Sequence, residues 1–107
     1  MTSTAMPPQV DIVVFTDAHA AGATIVDVRE PDEFATGHVP GAHPIPLGDL
    51  IERLDKISGA NPVYVICTSG NRSLKGAAIM IAAGHQAISV AGGTRAWARA
   101  GHPITAS

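Results

Sequence analysis

The sequence predicts an α/β fold with a central parallel sheet of about five strands and helices on both faces. Apolar runs and helix-like spacings alternate along the whole chain, a pattern typical of parallel strands joined by helical crossovers. The run Val63–Ile66 is continuous and rich in β-branched residues, as expected of a strand buried on both faces. The chain has 107 residues, of which 46% are hydrophobic, and this suits one compact domain.

Strands are predicted where short apolar runs end at polar residues, proline or glycine. The predicted strands are Val10–Phe15, Thr24–Val28, a short stretch near Ala42, Val63–Ile66 and Ala87–Val90. The segment around Ala42 carries three prolines in ten residues, so most of it is expected to be extended or turned.

Helices are predicted between the strands from helical spacing and from residues that begin or end helices. The predicted helices are Ala18–Ala21 after an N-cap at Thr16 and Asp17, Pro31 to Gly37, Gly48–Ile57, Leu74 to Gly84, and Thr94–Ala100. The apolar face of the fourth helix is expected to consist of Leu74, Ala77, Ala78 and Ile81. A turn is expected over Ser58–Pro62, and the chain is expected to trail away at Pro103 and Ile104.

The only cysteine, Cys67, directly follows the Val63–Ile66 strand and precedes a short polar loop and a helix. Binding sites of parallel sheets lie at this end of the strands. The N–H groups of the loop and of the first helical turn form a nest that favours an anion and lowers the pKa of a thiol. Gly70 permits a tight turn, and Arg72 supplies a positive charge that can fork onto an oxyanion. We therefore predict that Cys67 is a nucleophile rather than an inert buried thiol.

The candidate site is the loop from Cys67 to Ser73, in which Cys67 and Arg72 are the candidate catalytic residues. The candidate substrate-binding residues are Thr68, Ser69, Gly70, Asn71 and Ser73. We also expect Ser73 to cap the following helix and to orient the loop. Two further segments, Asp27–Arg29 and Ala91–Gly93, end strands and are expected to meet the loop at one rim of the sheet.

Other polar residues near this rim receive structural interpretations. Asp27, Arg29 and Glu33 are expected to form an ion-pair and capping set. His38 is expected to hydrogen-bond backbone groups in an irregular segment. A contribution of Arg29 or His38 to the site is left open.

Close packing is the expected role of a third segment. Gly92 and Gly93 are expected to let backbone pass close to the loop, and Trp97 is expected to anchor the core. The five histidines show no spacing typical of a metal site, so no metal is expected.

Composition excludes several classes of function. A net charge of −2 gives no overall attraction to nucleic acid or to an anionic membrane. A single cysteine permits no disulfide within the chain and no second thiol to resolve an oxidised Cys67. No apolar run approaches the ~20 residues of a membrane helix. Residues 1–8 lack the features of a secretion signal and are expected to be flexible, so a cytoplasmic protein is expected.

Three strings resemble the signatures of the rhodanese-like domain family. The string D-V-R-E-P-D-E-F-A-T-G-H-V-P-G-A at Asp27–Ala42 resembles the first signature of the family. C-T-S-G-N-R-S at Cys67–Ser73 resembles its active-site loop, and G-G-T-R-A-W at Gly92–Trp97 resembles its closing motif. The strings occur in the order of the family and span roughly Val10 to Ile104. The resemblance implies a rhodanese-like three-layer domain over residues 9–105.

The resemblance also implies a sulfurtransferase of the single-domain thiosulfate type. Cys67 would take the outer sulfur of a donor such as thiosulfate or a persulfide, become a persulfide itself, and pass the sulfur to cyanide or to a thiol. A protein could serve as the donor or the acceptor. The resemblance implies no metal and no organic cofactor, and the sequence leaves the oligomeric state and the pathway open.

Two alternatives remain beside the sulfurtransferase. One is a non-catalytic module that uses the fold to bind a partner or to sense redox state. The other is an arsenate reductase or phosphatase, whose loops are one residue longer and hold a larger oxyanion. The compact loop from Cys67 to Arg72 favours sulfur chemistry.

Overall fold

Five parallel strands form the central sheet of the computed structural model, which describes residues 6–57 and 62–106. They are β1 Gln9–Val10, β2 Thr24–Asp27, β3 His43–Pro44, β4 Val63–Ile66 and β5 Ala87–Val90. Their spatial order is β1-β5-β4-β2-β3, and every neighbouring pair is parallel. The predicted parallel sheet is therefore confirmed, and β4 lies at its centre between β2 and β5.

Helices cover both faces of this sheet. In chain order they are α1 Ile12–Ala20, α2 Pro31–Thr36, two 3₁₀ helices at Leu47–Asp49 and Ile51–Lys56, α3 Asn71–Ala82 and α4 Gly93–Arg99. One face packs against α3 and the 3₁₀ helices, with Leu50 and Met80 in that core. The other face packs against α1 and α4, with Phe15 and Trp97 in contact in its core. The predicted three layers and the core position of Trp97 are confirmed.

The alternation of side chains along β4 determines where the cysteine points. Val63 and Val65 belong to the core beneath α3, and Ile66 belongs to the opposite core. Because successive residues of an extended chain face opposite sides, Cys67 returns to the face of Val65. The thiol therefore lies beneath the amino end of α3.

The predicted strand over Val10–Phe15 and the predicted cap at Thr16 and Asp17 are wrong. The strand β1 covers only the first residue of that range, because Asp11 caps α1 by accepting the N–H of Val14 on Oδ1 at 3.0 Å. Both Thr16 and Asp17 lie inside α1. An aspartate that satisfies a free N–H group at the helix start outweighs the strand propensity of the residues that follow it.

The apolar face predicted for α3 is only partly right. Its buried residues are Ser73, Gly76, Ala77 and Met80, whereas Ala78 and Ile81 are exposed. A Cβ atom at Gly76 would lie 3.2 Å from methyl carbons of both Val28 and Val65. The helix therefore turns its small residues toward the sheet, since close approach of helix and sheet requires them there.

Two further segments differ from the predictions. The predicted α-helix over Gly48–Ile57 is a pair of 3₁₀ helices, with non-helical backbone angles at Arg53. The chain does not trail away after α4, because the N–H and carbonyl groups of Thr105 pair with those of His38 at 2.9 and 2.8 Å. Residues 58–61 of the predicted turn at Ser58–Pro62 are outside the described residues. The first five residues of the predicted flexible terminus are outside them as well.

A buried ion pair lies where β2 ends. The side chain of Arg29 donates to both carboxylate oxygens of Asp27, the shortest contact being 2.8 Å, and also donates to the carbonyl of Gly37. Asp27 is fully buried and Arg29 is 5% exposed. Nδ1 of His38 lies 2.8 Å from the carbonyl oxygen of Phe34. The structural interpretations of Asp27, Arg29 and His38 are confirmed.

Replacing Asp27 by asparagine is expected to destabilise the fold by about 3–5 kcal/mol, because the buried guanidinium would lose its counter-charge. Urea unfolding of both variants measures the change. The exposed pair Asp49–Arg53, at 4.0 Å, supplies the control, and Asp49→Asn is expected to cost about 0.5 kcal/mol or less. Equal costs for the two substitutions would contradict this assignment.

Candidate active site

The thiol of Cys67 lies at the amino end of α3 and accepts hydrogen bonds from two backbone N–H groups. The donors are Gly70 at 3.1 Å and Ser73 at 3.3 Å. Ser73 is the third residue of α3, so Sγ occupies the position that a capping oxygen takes in other helices. The predicted nest of N–H groups is present, and Sγ of Cys67 lies at its centre.

Two opposing effects determine the pKa of Cys67. Burial raises this pKa, since the residue is only 1% exposed. Hydrogen bonds from the Ser73 hydroxyl and from the N–H groups of Ser73, Gly70 and Ser69 lower it. The net result is a pKa below the ordinary value of a thiol. Such a group holds more of the nucleophilic thiolate at neutral pH than a free cysteine does.

The predicted capping role of Ser73 is wrong, because Ser73 lies within the helix and Gly70 is the N-cap residue. Its hydroxyl instead donates to the carbonyl of Gly70 at 3.0 Å and lies 3.5 Å from Cys67 Sγ. Ser73 therefore links the two ends of the loop, in agreement with its predicted role in orienting it.

The guanidinium of Arg72 is held by Glu33 of α2. Nη1 donates to Oε1 at 2.7 Å, and Nη2 donates to Oε2 at 2.9 Å. Nη2 also donates to Oγ1 of Thr68 at 3.1 Å. These contacts join α2 to both ends of the loop.

Glu33 is the residue that the sequence interpretation placed in the wrong set. It pairs with Arg72 rather than with Asp27 and Arg29, although it also accepts the N–H of Glu30 in the expected capping box. The pKa of Glu33 lies at about 2, because the hydrogen bonds from Arg72 and from the Glu30 N–H stabilise the carboxylate. The sequence does place Glu33 in the first turn of the helix that follows β2, at the carboxyl edge of the sheet where the loop also lies. That position was the one sign that Glu33 could reach Arg72.

The start of α4 packs directly on the loop. The N–H of Thr94 donates to the carbonyl of Cys67 at 2.8 Å, and that of Arg95 donates to the carbonyl of Thr68 at 3.0 Å. A Cβ atom on Gly93 would lie 2.5 Å from the oxygen of Cys67. The expected close approach of backbone at Gly93 is confirmed, and the three segments meet at one rim as predicted.

The remaining loop residues differ in exposure. Ser69 and Asn71 are exposed, Thr68 is half-buried and Gly70 is buried. In the described part of the chain, no group of three or more His, Cys, Asp or Glu side chains could hold a metal ion. Nor is any helix in residues 6–57 and 62–106 long and apolar enough to cross a membrane. The site therefore combines a buried thiol of lowered pKa, a set of N–H donors and an ion-paired guanidinium.

Comparison with known proteins gives consistent results. The sequence matches the rhodanese-like domain family over residues 14–100. Thiosulfate sulfurtransferase 16, a chloroplastic protein of Arabidopsis thaliana, is 32% identical over 114 residues, which cover 94% of this chain and 95% of that protein. YrkF of Bacillus subtilis is 39% identical over 74 residues, covering 68% of this chain but 40% of that protein. The crystal structure of a rhodanese-related protein from Thermoplasma volcanium gives a TM-score of 0.86 at 27% identity, covering 94% of this chain and 99% of that one.

Gly93→Ala is expected to destabilise the protein by about 2–4 kcal/mol, from the left-handed backbone and from the clash with the loop. Gly22→Ala is the matched control, because Gly22 has a φ of +85° but open space around its Cβ position. The control is expected to cost about 1–2 kcal/mol. Urea unfolding compares them, and a Gly93 variant no less stable than the control would contradict the close packing.

Glu33→Gln is expected to change the pH dependence of stability. Because the pKa of Glu33 is about 2 in the folded chain and 4.5 ordinarily, the ionised pair stabilises the protein above pH 4.5, and this stabilisation is lost as the pH falls toward 2. Between pH 7 and pH 3, the free energy of unfolding of the wild type should therefore fall by up to about 1 kcal/mol more than that of the variant. The effect is small because the carboxylate is a third exposed. Urea unfolding at pH 3 and pH 7 measures this, with the exposed Glu52→Gln as control. Identical pH dependence of wild type and Glu33→Gln would exclude the coupling.

Proposed function

The chain belongs to the rhodanese-like domain family, and we propose that it transfers sulfane sulfur through a persulfide on Cys67. The observation that carries this proposal is the position of Sγ, which accepts N–H groups from Gly70 and Ser73 at the amino end of a helix. An anionic sulfur is stabilised there, and an anionic sulfur is what both halves of such a reaction require.

In the first half, the Cys67 thiolate attacks the outer sulfur of thiosulfate. A sulfur–sulfur bond to Sγ forms, and the bond between the outer sulfur and the sulfonate group breaks. The sulfonate group leaves as sulfite with the bonding electron pair. The N–H groups of the loop then face the negative charge of the bound persulfide, as they face the thiolate before.

In the second half, an acceptor attacks the outer sulfur of the persulfide. Cyanide forms thiocyanate, or a thiolate forms a new persulfide, and in both cases the electron pair returns to Cys67 as thiolate. The chain alternates between two covalent forms, so ping-pong kinetics are expected. The step needs neither an oxidant nor a reductant.

Arg72 is proposed to contact the departing oxyanion with the N–H groups that its partners among the described residues do not use. Glu33 and Thr68 use three of the five N–H groups of the guanidinium. The two that remain can donate to sulfite oxygens. The Glu33 carboxylate also lowers the positive charge near the loop, which favours a singly charged persulfide donor over doubly charged thiosulfate. A low-molecular-weight or protein persulfide is therefore proposed beside thiosulfate.

Relatives support the chemistry at different levels of detail. The Arabidopsis relative that this chain matches over almost its whole length is named a thiosulfate sulfurtransferase. Thiosulfate as donor, cyanide or a thiol as acceptor, a protein partner and a cytoplasmic location are parts of the proposal for this chain. Direct contacts of Ser69, Gly70 and Asn71 with the substrate are proposed as well, since these residues belong to the loop whose N–H groups face Sγ.

Intact-protein mass after incubation with thiosulfate, or with glutathione persulfide, tests the proposal. The wild type is expected to gain one sulfur atom, and a thiol reductant or cyanide is expected to remove it. Cys67→Ser is expected to gain none. Glu52→Gln, an exposed substitution in the second 3₁₀ helix, serves as a control that retains the thiol and the whole loop.

No gain of sulfur from either donor, with Cys67 still open to alkylation, would overturn the proposal. Arsenate reduction or phosphate-ester hydrolysis that depends on Cys67 would then support an oxyanion enzyme. Absence of every such activity would favour a binding or redox-sensing module.

A further inference from the structure

A second serine lies directly behind the active-site loop. Ser89 of β5 is fully buried, and its Oγ lies 2.7 Å from Oγ of Ser73. Ser73 Oγ in turn lies 3.5 Å from Cys67 Sγ. A line of three polar atoms therefore runs from the central sheet to the thiol.

The number of available partners determines the direction of these hydrogen bonds. Among the described residues, Ser73 Oγ is the one hydrogen-bond partner of the Ser89 hydroxyl. A buried hydroxyl that does not donate its hydrogen is costly, so Ser89 donates to Ser73. Ser73 then keeps its own hydrogen for the Gly70 carbonyl at 3.0 Å or for Sγ of Cys67.

We propose that Ser89 is a positioning residue for sulfur transfer, which donates to Ser73 and thereby directs the Ser73 hydrogen toward Gly70 and Cys67. The hydrogen bond from Ser89 stays the same in every state of the site. The Ser73 hydrogen turns to Sγ when the sulfur is anionic and to the Gly70 carbonyl when the thiol carries its proton. A hydroxyl that accepts one hydrogen bond is also a stronger donor in the next, so Ser89 strengthens the contact between Ser73 and the thiolate.

This role rests on the proposed function only in taking Cys67 as the nucleophile. Its test measures the thiol itself, through the rate of alkylation by iodoacetamide between pH 5 and pH 10, without any sulfur donor. A failure of sulfur transfer would therefore leave this result unaffected, and the two proposals fail separately.

Ser89→Ala is expected to move the alkylation profile to higher pH and to lower the rate at pH 7 by about two- to fivefold, as for the loss of part of one hydrogen bond. Ser89→Thr retains a hydroxyl and is expected to keep the wild-type profile. Equal shifts in the Ala and Thr variants, or no shift in Ser89→Ala, would overturn the proposal.

A double-mutant cycle separates this role from a general structural effect. Ser73→Ala is expected to move the profile in the same direction as Ser89→Ala. Adding Ser89→Ala to Ser73→Ala should then change nothing further, because Ser89 acts through the Ser73 hydroxyl. A shift of the same size in the Ser73→Ala background would mean that Ser89 acts by another route, and would contradict the proposal.

Discussion

The hydrogen bonds from the amino end of α3 to Cys67 Sγ are the interaction on which the site depends. They satisfy N–H groups that a helix leaves free, and they lower the pKa of a thiol whose burial acts in the opposite direction. One sulfur atom thus takes the place of a capping oxygen and is also the proposed nucleophile. Any change that moves the start of α3 away from the end of β4 would therefore remove these hydrogen bonds from both the helix end and the thiol.

Two ion pairs support this arrangement, and they differ in their exposure to solvent. The pair of Asp27 and Arg29 is buried where β2 ends. Arg29 also donates to the carbonyl of Gly37, so the pair holds the end of α2 against the end of β2. The pair of Glu33 and Arg72 is about a third exposed and joins α2 to the loop. The buried pair serves the scaffold, because its charges are removed from solvent. The partly exposed pair is weaker, because water and salt screen its charges.

The sequence predicted the rim of the site better than its interior. Cys67 and the loop were found from the strand that precedes them, and Gly93 was found from its place in a glycine pair. The partner of Arg72 was not found, since Glu33 lies 39 residues earlier and its own helix start offered a local role. Ser89 was not singled out at all, because a serine inside an apolar strand gives no signal until the residue across from it is known.

Short-range patterns determined the fold class of this protein and pointed to Cys67 as the candidate nucleophile. Alternating runs of β-branched residues and helical spacings suffice for a parallel sheet, and its geometry places Cys67 at the carboxyl edge whatever the details of packing. Tertiary structure decided what surrounds the sulfur: which face of α3 meets the sheet, which carboxylate holds Arg72, and which hydroxyl lies behind Ser73. These choices depend on distances between segments remote in sequence, and the glutamate, serine and glycine residues involved form no periodic pattern that would predict their contacts.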